Sequence, residues 1–122
     1  MEYQVLRTLD NSHPNILHVY DYNTKFSCNV NGLDSKVAAV VTEYIESGDL
    51  FCYMNVYYKN GIQPLEDWVW MIARQLISAL KELQHREIVH LDIKPHNLMM
   101  KSPEVIKLMD FGLSFCKSIH KP

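Results

Sequence analysis

Apolar residues in this chain recur at helical spacing in some stretches and gather in short strand-like runs in others. Val5, Leu6 and Leu9 stand at helical spacing over residues 1–9. No helix-starting cap precedes them, so the chain is expected to open inside or near the end of a helix. The stretch Asp10-Asn11-Ser12-His13-Pro14-Asn15 ends it, because Pro14 disfavours helical geometry at His13. Ile16, Leu17, Val19 and Tyr20 read as a strand entry, Asn29-Val30-Asn31-Gly32 as a turn, and the valine-rich run from Lys36 to Tyr44 as a buried strand. Together they predict an antiparallel hairpin from about Leu17 to Tyr44.

Ser47-Gly48-Asp49 breaks that strand and begins a short helix near Leu50 to Tyr58, which Lys59-Asn60-Gly61 stops. The longest helix is predicted from about Glu66 to His85. Val69, Ile72, Leu76, Leu80 and Leu83 form its apolar stripe, with Arg74, Lys81, Glu82 and Arg86 off it. After it come Ile88-Val89, a polar loop, and strands at Leu98–Met100 and Val105–Met109 joined by a turn at Ser102-Pro103. The expected class is α+β.

Composition narrows the functional classes. The 122 residues are 48% apolar and 21% charged, which suits one ordinary globular domain and excludes a disordered or fibrous chain. A net charge of −2 removes the electrostatic argument for a nucleic-acid or membrane-surface partner. Cys28, Cys52 and Cys116 contain no C-x-x-C, and the six histidines contain no H-x-x-x-H pair, so neither a disulfide framework nor a zinc site is expected. The longest wholly apolar run, Trp68 to Ala73, is too short to cross a bilayer, and the N-terminus lacks a secretory profile. An intracellular, cytoplasmic location is the expectation.

The chemistry-bearing residues lie in His90-Leu91-Asp92-Ile93-Lys94-Pro95-His96-Asn97, followed thirteen residues after Asn97 by Asp110-Phe111-Gly112. A lone Asp or Asn in a loop is usually a turn former or a cap. Two carboxylates, a lysine and a carboxamide in fixed order at strand ends suit something more particular, magnesium-assisted phosphoryl transfer. A hard cation takes oxygen from a carboxylate and an amide, a second carboxylate accepts a hydroxyl proton, and Lys94 can hold a phosphoryl oxygen.

On these residues the sequence resembles the eukaryotic protein kinases. His90-x-Asp92-x-Lys94-x-x-Asn97 is similar to their catalytic loop and Asp110-Phe111-Gly112 to their metal-binding motif. Glu2, Leu6, Leu9 and His13-Pro14-Asn15-Ile16 resemble the end of the αC helix and the segment after it. Val40-Val41-Thr42-Glu43-Tyr44-Ile45 resembles the last small-lobe strand and the hinge. The resemblance implies a partial kinase fold: part of the antiparallel small-lobe sheet and the hinge over residues 1–45, and the start of the helical large lobe over residues 46–122.

It also implies roles. Asp92 is the catalytic base, Lys94 steadies the γ-phosphoryl group of ATP, and Asn97 and Asp110 hold magnesium. Glu2 stands at the ion-pair position, Thr42 at the gatekeeper, Glu43 and Ile45 in the adenine-contacting hinge, Asp49 near the ribose and Met99 under adenine. Leu6, His90 and Phe111 would stack between the lobes. Lys94-Pro95 points to a Ser/Thr hydroxyl on a protein substrate. Leu91 replaces the arginine that usually ties a phosphorylated activation loop, so that switch is not expected here.

The 122 residues include neither a Gly-rich phosphate loop and ATP-orienting lysine before Glu2 nor an Ala-Pro-Glu after Gly112. The expectation is a piece from the middle of a catalytic domain, with an unpaired sheet edge and a partly uncovered apolar helix face. At about 25 cal/mol per Å2, a few hundred wet Å2 would cost several kcal/mol, so alone it should fold poorly or need a protein partner over those faces. It should then transfer phosphate slowly or not at all. Two functions are therefore carried forward: a segment of an active Ser/Thr kinase, and a non-catalytic kinase-derived binding module.

Overall fold

The computed structural model describes residues 2–120; Met1, Lys121 and Pro122, which the expected 1–122 domain includes, lie outside them. Helix α1 (Glu2–Leu9) buries Val5, Leu6 and Leu9, the three residues whose spacing predicts it. It ends where Asp10 and Asn11 turn left-handed, at φ 48° and 52°. Asn11 then imitates a strand partner. Its Nδ2 donates to the Val19 carbonyl at 2.9 Å and its Oδ1 accepts from the Val19 N–H at 2.8 Å.

Strands β1 (Val19–Val30) and β2 (Leu33–Thr42) form a two-stranded antiparallel sheet in which Val30 faces Leu33. The turn between them is Asn31-Gly32 with φ 53° and 83°, the mirror-image geometry that matches strand twist and that Asn-Gly adopts most cheaply. The valine-rich strand is expected to be buried, and here the structure corrects the reading. Val40 packs on the core, but Val37 is exposed and Val41 is 51% exposed. Among the described residues no second layer covers the other face of this hairpin.

Asp49 opens helix α2 (Leu50–Lys59), its Oδ1 accepting from the Cys52 N–H at 2.8 Å, and Asn60 closes it. Helix α3 (Glu66–His85) has no side-chain cap but carries Glu66 and Asp67 in its first turn, where the helix dipole favours negative charge. Ile72, Ala79 and Leu83 are buried, Leu76 and Leu80 partly so. Val69 departs from the expected stripe: it is 47% exposed, on the wall of an open apolar hollow. Two apolar hollows flank α3. One, of about 460 Å3, lies by Leu83, Ile88, Leu91, Ile93 and Phe115; the other, of about 340 Å3, lies by Leu50, Met54, Ile72 and Leu98.

Strand β3 (Ile88–Val89) pairs with β6 (Phe115–Cys116), and β4 (Leu98–Ser102) with β5 (Val105–Leu108), both antiparallel. The core sits on this second hairpin. Met100, Ile106 and Leu108 are wholly buried beside Val5, Leu9, Leu83 and Phe111. The chain after α1 is sewn to it: the Leu108 N–H donates to the Asn15 carbonyl at 2.7 Å, and the Leu17 N–H to the Leu108 carbonyl at 2.9 Å. Among the described residues three α-helices with small antiparallel sheets make this an α+β chain, in keeping with a partial kinase fold.

Candidate active site

The polar loop between β3 and β4 is held from within. His90 is buried, its Nδ1 accepting from the Asp92 N–H at 3.1 Å and its Nε2 lying 2.9 Å from the Met109 carbonyl. The ring therefore bridges the loop to the residue just before Asp110, and it packs edge-on against Phe111 with centroids 4.9 Å apart. Leu6, the third member of the expected stack, is buried in the same core.

From that anchor the loop presents three of the expected groups together. Asn97 is buried and its Nδ2 donates both to the Asp92 carbonyl and to Asp92 Oδ2, each at 2.9 Å. Lys94 Nζ lies 3.2 Å from the same Oδ2. The Lys94 ammonium, helped by the Asn97 amide, holds the Asp92 carboxyl below the usual carboxylate range despite the opposing effect of burial. Asp92 is thus a charged acceptor at neutral pH. With its side-chain nitrogen bound to Asp92, Asn97 offers its side-chain oxygen Oδ1 as the donor atom for a ligand.

Asp110 is delivered to the same end of the chain by β5, since the Met109 N–H donates to the Asn97 carbonyl at 2.9 Å. Its backbone is left-handed, φ 61°, and among the described residues its exposed carboxylate takes only the Gly112 N–H, at 3.2 Å. Leu91 is left-handed as well, φ 68°, with its side chain 63% exposed. Non-glycine residues in this region cost about 1–3 kcal/mol and gather where a site needs a particular turn. Glu2 reaches the motif from α1, its Oε1 accepting from the Phe111 N–H at 3.3 Å.

The expected base-contacting residues form a second group. The Thr42 hydroxyl donates to the Glu43 carbonyl at 3.1 Å, and Ile45 is buried. The segment after Ile45 is stitched to β4: the Met100 N–H donates to the Gly48 carbonyl at 2.8 Å, and Asp49 bridges Met99. One oxygen of Asp49 is engaged as the α2 cap. Glu43 is not an open ligand. Its buried carboxylate accepts from the His18 N–H at 2.9 Å and pairs with Lys107 at 3.0 Å and Lys101 at 3.1 Å. Burial alone would raise its pKa, but the His18 N–H and the two ammonium groups outweigh it and bring it down to about 2.

Sequence reasoning missed Lys101 and Lys107. The signal was there for Lys107, a lysine between Ile106 and Leu108 in an otherwise apolar strand, which has to find a counter-charge when buried. Among the described residues no cluster of three His, Cys, Asp or Glu side chains could hold a metal, and no helix is long and apolar enough to cross a membrane. Asn97 and Asp110 are two oxygen donors, a set that suits a hard cation sharing its remaining positions with water and substrate phosphates.

Comparison with known proteins agrees with this architecture. The protein kinase domain model matches residues 1–121. The carbon catabolite-derepressing protein kinase of Secale cereale is 36% identical over 114 residues, covering 93% of this chain and 20% of that protein. Serine/threonine-protein kinase 36 of Mus musculus is 39% identical over 114 residues, covering 93% of this chain and 7% of that protein. Serine/threonine-protein kinase PrkC of Bacillus subtilis is 34% identical over 114 residues, again 93% of this chain and 15% of that protein. The chain thus spans at most a fifth of the length of these relatives. It belongs to the protein kinase domain family, an enzyme family whose members in general use ATP and magnesium and act on proteins.

Proposed function

We propose that the chain carries the phosphoryl-transfer residues of a Ser/Thr protein kinase, with residues 1–45 contributing to the small lobe and hinge and residues 46–122 to the large lobe. The observation that carries this reading is the loop in which Asp92, Lys94 and Asn97 are mutually bonded while β5 brings Asp110 alongside. Asp92 is charged and exposed enough to receive the hydroxyl of a protein Ser or Thr and accept its proton as the hydroxyl oxygen bonds the γ-phosphorus and the bond from that phosphorus to the departing ADP oxygen breaks. Lys94 lies beside it and balances the charge of the γ-phosphoryl oxygens. Asn97, through its side-chain oxygen Oδ1, and Asp110 would hold Mg2+, which when bound neutralises the phosphate oxygens of ATP. The hinge from Thr42 to Ile45, with Asp49 and Met99, would take the adenosine end, and Glu2 steadies the metal-binding motif through the Phe111 N–H.

The test is ATP binding and γ-phosphoryl transfer to a protein Ser/Thr substrate by the folded chain, beside Asp92→Asn. Slow transfer that Asp92→Asn removes supports the reading. A folded chain that takes up no adenosine or ATP would refute it. The two apolar hollows along α3 favour a second reading in that event, a binding module whose partner covers them.

A further inference from the structure

The buried charge cluster around Glu43 is explained by no step of phosphoryl transfer. Its side chain is 8% exposed and that of Lys107 is 9% exposed. A buried ion pair is a poor source of stability, because desolvation offsets most of the attraction. What it does supply is direction, and here the direction is specific.

One carboxylate joins three segments. Oε1 takes the His18 N–H at the start of β1 and the Lys107 ammonium on β5, while Oε2 takes Lys101 at the end of β4. The Glu43 N–H returns to the His18 carbonyl at 2.9 Å, closing a reciprocal pair. Met99 stands opposite Lys107 in the β4–β5 register, so the two share a face of that hairpin. The face that offers Met99 as the floor for a base also offers the ammonium that holds the hinge.

We propose that the Glu43–Lys107 pair, with Lys101 as its outer arm, is a positioning device that fixes the spacing between the hinge backbone at residues 43–45 and Met99, and with it the slot that receives the flat base of the nucleotide. This rests on the nucleotide reading above. Glu43 and Lys107 then act through the hinge and not on the phosphates.

The experiment uses the 122-residue chain and its Lys107→Met, Lys107→Arg and Glu43→Gln/Lys107→Met variants. Two quantities are read: backbone hydrogen exchange at residues 43–46 without ligand, and dissociation constants for adenosine and Mg-ATP. Lys107→Met should speed exchange in this segment by roughly tenfold relative to α3. It should weaken adenosine and Mg-ATP by one common factor of roughly tenfold, since the phosphates are not involved, and Lys107→Arg should restore both. The double variant strands no charge and carries the same expectation if the single variant does not fold. Unchanged exchange and affinity in a folded variant overturn the proposal, as does a loss confined to Mg-ATP. If the unaltered chain takes up neither ligand, the nucleotide reading fails, and the exchange measurement still decides whether Lys107 fixes the hinge.

Discussion

The two hairpins of this chain are made of similar residues and live in different surroundings. The β4–β5 hairpin is short, yet Met100, Ile106 and Leu108 are wholly buried, and each of its ends leads to a polar group of the site. The β1–β2 hairpin is more than twice as long and carries five strand valines against one, yet Phe26, Leu33 and Val41 are exposed. Burial is decided by the layers on either side, not by strand length or apolar content. The buried hairpin lies between α3, the segment after α1 and the hinge; the exposed one has described residues on one face only.

The comparison can be tested by substitution, starting with the loop, proposed above to be catalytic, that the buried hairpin supports. Asp92→Asn should lower phosphoryl transfer by roughly 10^2–10^4-fold, the range for a lost general base, while the unfolding midpoint stays near its original value. A rate unchanged in Asp92→Asn would separate the loop from the chemistry. Within the core, Leu108→Ala should cost about 2–5 kcal/mol by chemical denaturation, because the wholly buried site cannot collapse around the cavity.

Acid should act between these. The folded-state pKa of Glu43 is depressed from 4.5 to about 2, so its contribution is fully present above pH 4.5 and lost as pH falls toward 2. The size is of order 3 kcal/mol, and Glu43→Gln should flatten that part of a stability-against-pH curve. In the exposed hairpin, Val41→Thr should move stability by no more than about 0.5 kcal/mol. Val41→Lys should reduce light scattering from self-association at the free strand edge, and a large destabilisation by either would mean that this face is covered after all.

Legibility in the sequence divides along the same line. The helices at Glu2–Leu9 and Glu66–His85 match their expected limits because amphipathic spacing is a local signal. The loop proposed to be catalytic was legible as an ordered set of chemical groups, and the structure bonds His90, Asp92, Lys94 and Asn97 within it. The β3–β6 pairing was not, since two-residue strands such as Phe115–Cys116 carry no period. The exposure of Val37 and Val41 escapes the pattern because a run of valines records a preference for extended backbone as much as burial. By resemblance Glu43 is expected in a hinge at the base site. Its engagement with Lys101 and Lys107 depends on strands about sixty residues away, which no local pattern reports.

The bond from Glu2 to the Phe111 N–H joins positions 109 residues apart in sequence. It makes α1 a lever whose tip rests on the loop carrying Asp110. A rotation of this helix by a fraction of a turn would withdraw the carboxylate from the Phe111 N–H, while the Phe111 ring stays packed in the core against His90. Any chain leading into Glu2, natural or appended, is therefore mechanically in series with the loop that carries Asp110.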